Sequence, residues 1–260
     1  MVLANFERQF RPIVVAHRGA SALYPENTLA AFQGAIEAGA DVVELDVRLT
    51  ADNVAVILHD LDVAATTDGS GLVHALTLAE VKRLDASGGR GPRAEIPTLQ
   101  EAFEALSGRV GVDIEIKNLP GEPSFDSPRE AAVVEVIRLL GETGFQGPVL
   151  VSSFNWLSIE KARELDPSIA TGLLTTSDVD PWAALEYTKG HGHTYVLPQA
   201  SAVLEAGERF PASAHDDGVL VGTWTVDDPR EMERLFQMGV DAIATNDPAS
   251  AVPVRDRFRR

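Results

Sequence analysis

The sequence predicts an α/β chain folded as a TIM-type (β/α)8 barrel. Short apolar runs alternate with helical patterns along nearly the whole chain, which implies a mainly parallel sheet covered by helices. A length of 260 residues suits one barrel of this kind. Charged residues recur at the ends of the apolar runs, where a barrel carries its functional face. Residues 1–260 are therefore expected to form a single domain, with a small insertion at about 60–97.

The elements follow in order. Ile13-Val14-Val15-Ala16 reads as a buried strand that runs into His17-Arg18-Gly19. A helix is expected over Thr28 to Ala38, with Asn27 as its cap, Leu29, Phe32 and Ile36 on one face and Gly39 as its stop. Val42 to Val47 is the second strand. Val54 to His59 is another strand, only a few residues later, and a parallel crossover needs a dozen or more. Ala51-Asp52-Asn53 is thus a tight hairpin turn, with Asn53 in the left-handed conformation, and the following strand is an antiparallel extension outside the barrel count. The insertion follows, with a Gly-rich stretch at Asp68 to Gly71, a helix near Leu78 to Leu84 and a Gly- and Pro-rich loop at Ser87 to Pro97. It is expected to rise from the functional face.

Later strands are read at Val110 to Lys117, Val149 to Phe154, Ile169 to Leu174, Tyr195 to Pro198, Val219 to Val226 and Ala242 to Thr245. Ser127-Pro128-Arg129-Glu130 has the form of a capped helix start, with Ser as N-cap and Pro at the first helical position. Asp228-Pro229 and Asp180-Pro181 repeat the device, and the helix after Pro229 ends at Gly239. The basic tail, Arg255 to Arg260, is expected to fray.

Composition limits function. A net charge of −17 argues against a nucleic-acid surface and against docking on anionic lipid. Aromatics at 6% leave the core to aliphatic side chains. With no cysteine, thiolate nucleophiles and Cys-ligated metals are excluded. Met1 to Arg8 lacks a basic start followed by an apolar run, and no stretch approaches the length of a membrane span, so a cytoplasmic protein is expected.

The chemistry concentrates at strand ends. Glu44 and Asp46 lie two apart on one strand and share a face; Asp113, Glu115 and Lys117 do the same on another. Charges inside such strands are costly unless paired or bound to a metal. Glu44, Asp46 and Glu115 form an oxygen-only ligand set suited to Mg²⁺ or Ca²⁺. The competing reading is an ion-pair network with Arg18, Arg48 and Lys117. His17 and His59 are candidates for general acid and base or for metal ligands. Arg18 and Lys117 can hold phosphate oxygens. Glu26, just before the helix cap, is placed to bond Arg18 or a substrate hydroxyl, and Trp224 to form a wall of the site. His74, His191, His193 and His215 fall in loops or at their edges and receive no role.

Taken together, His17-Arg18-Gly19, Pro25-Glu26-Asn27-Thr28, Glu44-Leu45-Asp46-Val47 and His59-Asp60 resemble the signature of the glycerophosphodiester phosphodiesterase family. Ile96 to Leu99, Ile114 to Lys117, Ser152-Ser153-Phe154, Trp224-Thr225-Val226 and Thr245-Asn246-Asp247-Pro248 continue the match in order. The resemblance spans about 13 to 250. It implies one divalent cation on Glu44, Asp46 and Glu115, His17 and His59 as the acid/base pair, and Arg18 and Lys117 on phosphate. It implies small glycerophosphodiester substrates, cut to glycerol 3-phosphate and an alcohol through attack by the glycerol 2-hydroxyl and a cyclic phosphate. Three positions depart from the pattern: Ala65 where Arg is common, Asp227 where Asn is usual, and Asp113 where Asn or an apolar residue is usual. The alternatives are a relative acting on lysophospholipids, a Schiff-base aldolase using Lys117, and a non-catalytic barrel. The first is disfavoured because residues 60–97 carry few large apolar side chains.

Overall fold

The computed structural model describes residues 12–259. The expectation for Met1 to Arg8 therefore lies outside the described residues, as does Arg260. Strand β1 (Ile13–Ala16) pairs in parallel with both β2 (Val42–Leu49) and β9 (Ala242–Thr245), and this double pairing closes the sheet. Between them run β4 (Gly111–Ile116), β5 (Val149–Ser153), β6 (Ala170–Thr175), β7 (Tyr195–Pro198) and β8 (Leu220–Thr223), every neighbour parallel. The result is the predicted barrel of eight parallel strands. Strand β3 (Ala55–Ile57) stands outside it, antiparallel to β2 with Arg48 opposite Val56. Asn53 turns the hairpin at φ 60°, as its residue type allows.

Ten helices are described, running in order α1 (Leu29–Ala38), α2 (Leu78–Val81), α3 (Leu99–Leu106), α4 (Ala131–Thr143), α5 (Trp156–Leu165), α6 (Pro181–Gly190), α7 (Ala200–Ala206), α8 (Arg209–Asp216), α9 (Pro229–Gln237) and α10 (Pro248–Asp256). Strand residues alternate between two apolar layers. Val43, Leu45, Ile114 and Val151 face outward under the helices, whereas Val15, Val42, Leu150, Leu174 and Leu197 pack inside the barrel. At about 25 cal/mol per Å² of apolar surface, such burial is the main driving force for closing the sheet.

Several local readings need correction. Helix α4 begins at Ala131, not at Pro128. Glu130 precedes it at φ 51°, and its buried carboxylate accepts from Asn118 Nδ2 (2.8 Å) and Ser158 Oγ (2.7 Å), which fixes that residue outside the helix. Asn27 is not the cap of α1. Thr28 takes that place with extended backbone, accepting from Ala31 N, because Asn27 sits at φ 57° and spends its side chain elsewhere. Leu29 is 41% exposed, and the buried face is Ala31, Phe32, Gly34 and Ala35. The helix of the insertion stops at Val81. The tail is anchored through Arg259: Arg255 is buried and donates to Asp41 Oδ2 (2.6 Å) and Gly39 O (3.0 Å), and Arg259 pairs with Asp41. Gly39, Asp180, Asp228 and Pro229 act as the sequence predicts. Among the described residues, no helix is long and apolar enough to cross a membrane.

Residues 60–97 hold α2 and two short 3₁₀ turns, and their Val63, Val73, Val81 and Ile96 form an apolar cluster with Val56 of β3. From this segment Arg90 donates to the carbonyls of Ser21 (3.3 Å) and Ala22 (3.2 Å), in the loop that follows β1.

Candidate active site

The loop after β1 brings the first groups into place. Arg18 adopts φ 56° and Gly19 φ 80°. A Cβ on Gly19 would lie 2.6 Å from the Ala31 backbone, so only glycine lets this turn press against α1. The turn aims the Arg18 backbone N–H at Glu44 Oε2, 2.7 Å away. A non-glycine residue held at positive φ is a strained arrangement that concentrates at functional sites.

Glu44 and Asp46 on β2 sit beside Asp113 and Glu115 on β4, paired in register. All four are buried. One carboxylate oxygen from each of Glu44, Asp46 and Glu115 lies within 4.8 Å of the others, as the alternation of the two strands predicts. Lys117 spans two of them. Its Nζ is 3.0 Å from Asp46 Oδ1 and pairs with Glu115 Oε1. Arg18 Nε lies 3.3 Å from Asp46 Oδ2, and its Nη1 donates to Glu26 Oε1 at 2.8 Å. Asn27 Nδ2 donates to Asp46 Oδ2 at 2.7 Å. Arg48 belongs elsewhere: it donates to His59 O (2.8 Å) and binds Glu122 (2.7 Å). The ion-pair network and the oxygen cluster thus coexist, but the cations do not satisfy the carboxylates. Glu44 Oε1 is buried without a hydrogen-bond donor.

Electrostatics follow from this crowding. Burial, then the Asp46 and Glu115 charges, push the Glu44 carboxyl well above its usual range. Burial also raises Glu115 to about 7, against the pull of Lys117, and raises Asp113 to about 7, against the Ser152 hydroxyl. Asp46 is likewise buried, yet Lys117 and Arg18 hold it below the usual carboxylate range. Burial works against the Lys117 ammonium, but Asp46 and Glu115 outweigh it and raise its pKa. A buried set of three carboxylates with an unsatisfied oxygen, and only oxygen donors, fits a hard divalent cation. Asp113 lies two residues before Glu115 on the same face of β4, receives Ser152 Oγ at 2.7 Å and is not part of the cluster.

His17 and His59 face the same cavity as these groups, a space of about 260 Å³ at the carboxyl ends of the strands. His17 Nδ1 lies 2.8 Å from Asn246 Oδ1; His59 Nδ1 lies 3.1 Å from Asp60 Oδ1. Burial lowers both imidazole pKa values, with Arg18 adding to the effect at His17 and Asp46 opposing it at His59. The opposite wall is aromatic. Trp224 donates from Nε1 to Leu197 O (2.9 Å) and meets Phe154 edge-on, with centroids 5.3 Å apart. His17, Arg18, Glu44, His59, Glu115, Lys117 and Trp224 line this one cavity; Asp46 and Glu26 lie beside it, bonded to Lys117 and Arg18.

Four contributors lie in the motifs quoted from the sequence but received no role in the site there: Asn27, Asp60, Phe154 and Asn246. Asn27 and Asn246 look like helix-capping residues from their neighbours, Thr28 and Asp247, which are the true caps of α1 and α10. The remaining histidines lie apart from the site: His193 is buried against Thr171, and His215 bonds Asp241 from α8.

Comparison with known proteins agrees with the geometry. The Glycerophosphoryl diester phosphodiesterase family matches residues 17–250. A glycerophosphodiester phosphodiesterase of Caldanaerobacter subterraneus subsp. tengcongensis is 37% identical over 248 residues, covering 93% of this chain and 97% of the relative. One from Bacillus subtilis is 31% identical over 255 residues, covering 92% and 84%. The solved structure of an Oleispira antarctica phosphodiesterase in complex with the product sn-glycerol-3-phosphate superposes with a TM-score of 0.84 at 31% identity, covering 95% of this chain and 98% of that one.

Proposed function

The chain belongs to the glycerophosphoryl diester phosphodiesterase family, and on that premise we propose that it hydrolyses small glycerophosphodiesters with a divalent cation and two histidines. One observation carries this reading: the buried oxygen-only cluster of Glu44, Asp46 and Glu115 reaches, through Glu44 and Glu115, the cavity that His17 and His59 also line. Glu44, Asp46 and Glu115 would hold the ion, Mg²⁺ or Ca²⁺. When bound, the cation neutralises charge on the phosphoryl oxygens and lowers the pKa of the attacking hydroxyl.

This chain's own groups do the rest. Arg18 and Lys117 orient the phosphate and offset the charge that grows on its oxygens. Glu26 holds the Arg18 guanidinium in place. One histidine takes the proton of the glycerol 2-hydroxyl as its oxygen attacks phosphorus. The other histidine protonates the departing alkoxide, which leaves as the alcohol. The tether between nucleophile and phosphorus supplies effective molarity. Water then adds to the cyclic phosphate, the ring opens at the 2-oxygen, and the histidines exchange roles to give glycerol 3-phosphate. Trp224 and Phe154 wall the glycerol side, and residues 60–97 form an insertion that shapes the approach.

The test is hydrolysis of a small panel, glycerophosphocholine and glycerophosphoethanolamine among it, with each cation and with chelator. Release of glycerol 3-phosphate that chelator abolishes is the expected result. Faster release of choline from lysophosphatidylcholine than from glycerophosphocholine would overturn the substrate class.

A further inference from the structure

We propose that Asn246, oriented by Asp227, is a positioning residue that holds His17 in its Nδ1-protonated tautomer. This makes Nε2 the nitrogen that exchanges protons with substrate. The proposal rests on the acid/base reading of His17 and adds to it a device built from two loops.

An ionised carboxylate only accepts. Asp227 Oδ1 accepts from the backbone N of Asn246 (2.8 Å) and from Thr245 Oγ1 (2.8 Å), while Asp227 Oδ2 accepts from Asn246 Nδ2 (2.7 Å). The end of the Asn246 side chain that faces Asp227 must therefore be the NH₂ end. Its oxygen is left facing His17 Nδ1, 2.8 Å away. An amide oxygen cannot donate, so His17 Nδ1 carries the proton. In the neutral ring Nε2 then bears the lone pair.

Ser21 does not decide the matter. Its hydroxyl lies 2.8 Å from His17 O and 3.0 Å from Asn246 Oδ1, and a hydroxyl bonds either end of an amide. If the Asn246 amide turned over, Ser21 would accept from its NH₂ and nothing would be left unpaired there. The negative charge of Asp227, a residue that touches neither His17 nor the cavity, is what selects one orientation. His59 is handled differently: the Asp60 carboxylate bonds its Nδ1 directly.

The test uses the full chain with three changes, Asp227→Asn, Asn246→Asp and both together. The reporter is ¹⁵N NMR of the His17 ring without substrate, alongside kcat and KM for glycerophosphocholine. In D227N the new amide keeps its oxygen toward Thr245 Oγ1 and the Asn246 N–H, and so turns its own NH₂ toward Asn246. Asn246 then flips and offers its NH₂ to His17 Nδ1. The expected result is a shift to the Nε2-protonated tautomer, with kcat down about tenfold and KM within about twofold. In the double variant the carboxylate at position 246 accepts from both His17 Nδ1–H and the new amide. The Nδ1-protonated tautomer returns and kcat recovers to within about threefold of wild type. Should D227N fold poorly, Asn246→Ala gives the same readout, with mixed tautomers expected. An unchanged tautomer in D227N or N246A, or a double variant no better than D227N, overturns the proposal. The spectrum separates it from the functional reading. A wild-type ring protonated at Nδ1 in a protein that cleaves no glycerophosphodiester condemns that reading alone. A ring protonated at Nε2 in an active enzyme condemns the tautomer lock alone.

Discussion

The two halves of the barrel mouth differ sharply. From β1 to β4 the cavity is lined by His17, Arg18, Glu44, His59, Asp113, Glu115 and Lys117, with Ile13, Val15 and Val42 at its floor. From β5 to β9 its wall is Leu150, Phe154, Leu174, Tyr195, Leu197 and Trp224, with no Asp, Glu, Lys, Arg or His among the described lining residues. One half concentrates charge and the other faces it with an uncharged, mostly apolar wall. The contrast matters because a low-dielectric wall strengthens every charge interaction opposite it. It also implies that changes in the first half remove chemistry, whereas changes in the second adjust fit.

The largest effect is expected from the charged half. Asp46→Asn should lower hydrolysis by about 10⁴-fold or more, since several kcal/mol of charge stabilisation depend on the cation. Calorimetric titration of the variant should show cation affinity lost in parallel. Next come His17→Ala and His59→Ala, each reducing kcat by roughly 10³-fold with little change in KM. Full activity in either variant would remove that histidine from the mechanism.

A pH effect comes next. Glu115 and Asp113 are raised to about 7 in the folded protein, and Glu44 is raised as well. Between the ordinary carboxyl range near 4 and about 7, the folded state holds protons that the unfolded chain has released. His17 and His59, whose pKa values are lowered, contribute the opposite sign below about 6.5, so the metal-free protein should lose Tm in the window above that, from about 6.5 to 8. A divalent cation held by the deprotonated cluster, as proposed, should restore more Tm at pH 8 than at pH 5. Melting curves at both pH values, with and without cation, test the sign. A metal-free Tm that rises across this window would show that the cluster is not strained by its own charge.

The smallest effect belongs to the apolar half. Trp224→Ala should raise KM about tenfold or less while kcat changes little, because it removes contact surface and not a reacting group. A collapse of kcat instead would erase the distinction between the halves.

The same contrast explains what could be read from the sequence. Glu44, Asp46, Glu115 and Lys117 stood out because charge inside an apolar strand is costly and so signals purpose. The hairpin was legible because Asn53 is one of few residue types at ease at φ 60°. The aromatic wall was only half legible: Phe154 resembles core, and nothing in its neighbours marks the side chain as facing a cavity. Asn27 and Asn246 were hidden by capping residues next to them, whose local grammar is the same. Ser127-Pro128 had the right form for a helix start, but the long-range bonds of Glu130 to Asn118 and Ser158 set the boundary at Ala131. Local signals carried the elements; contacts far apart in sequence set the details.

The most direct measurement is a crystal structure grown with Ca²⁺ and sn-glycerol 3-phosphate. One ion should appear at about 2.3–2.6 Å from oxygens of Glu44, Asp46 and Glu115 together, with Lys117 Nζ moved from Asp46 and Glu115 toward the phosphate. Three carboxylates still bonded only to Lys117 and Arg18 at saturating cation would contradict the account.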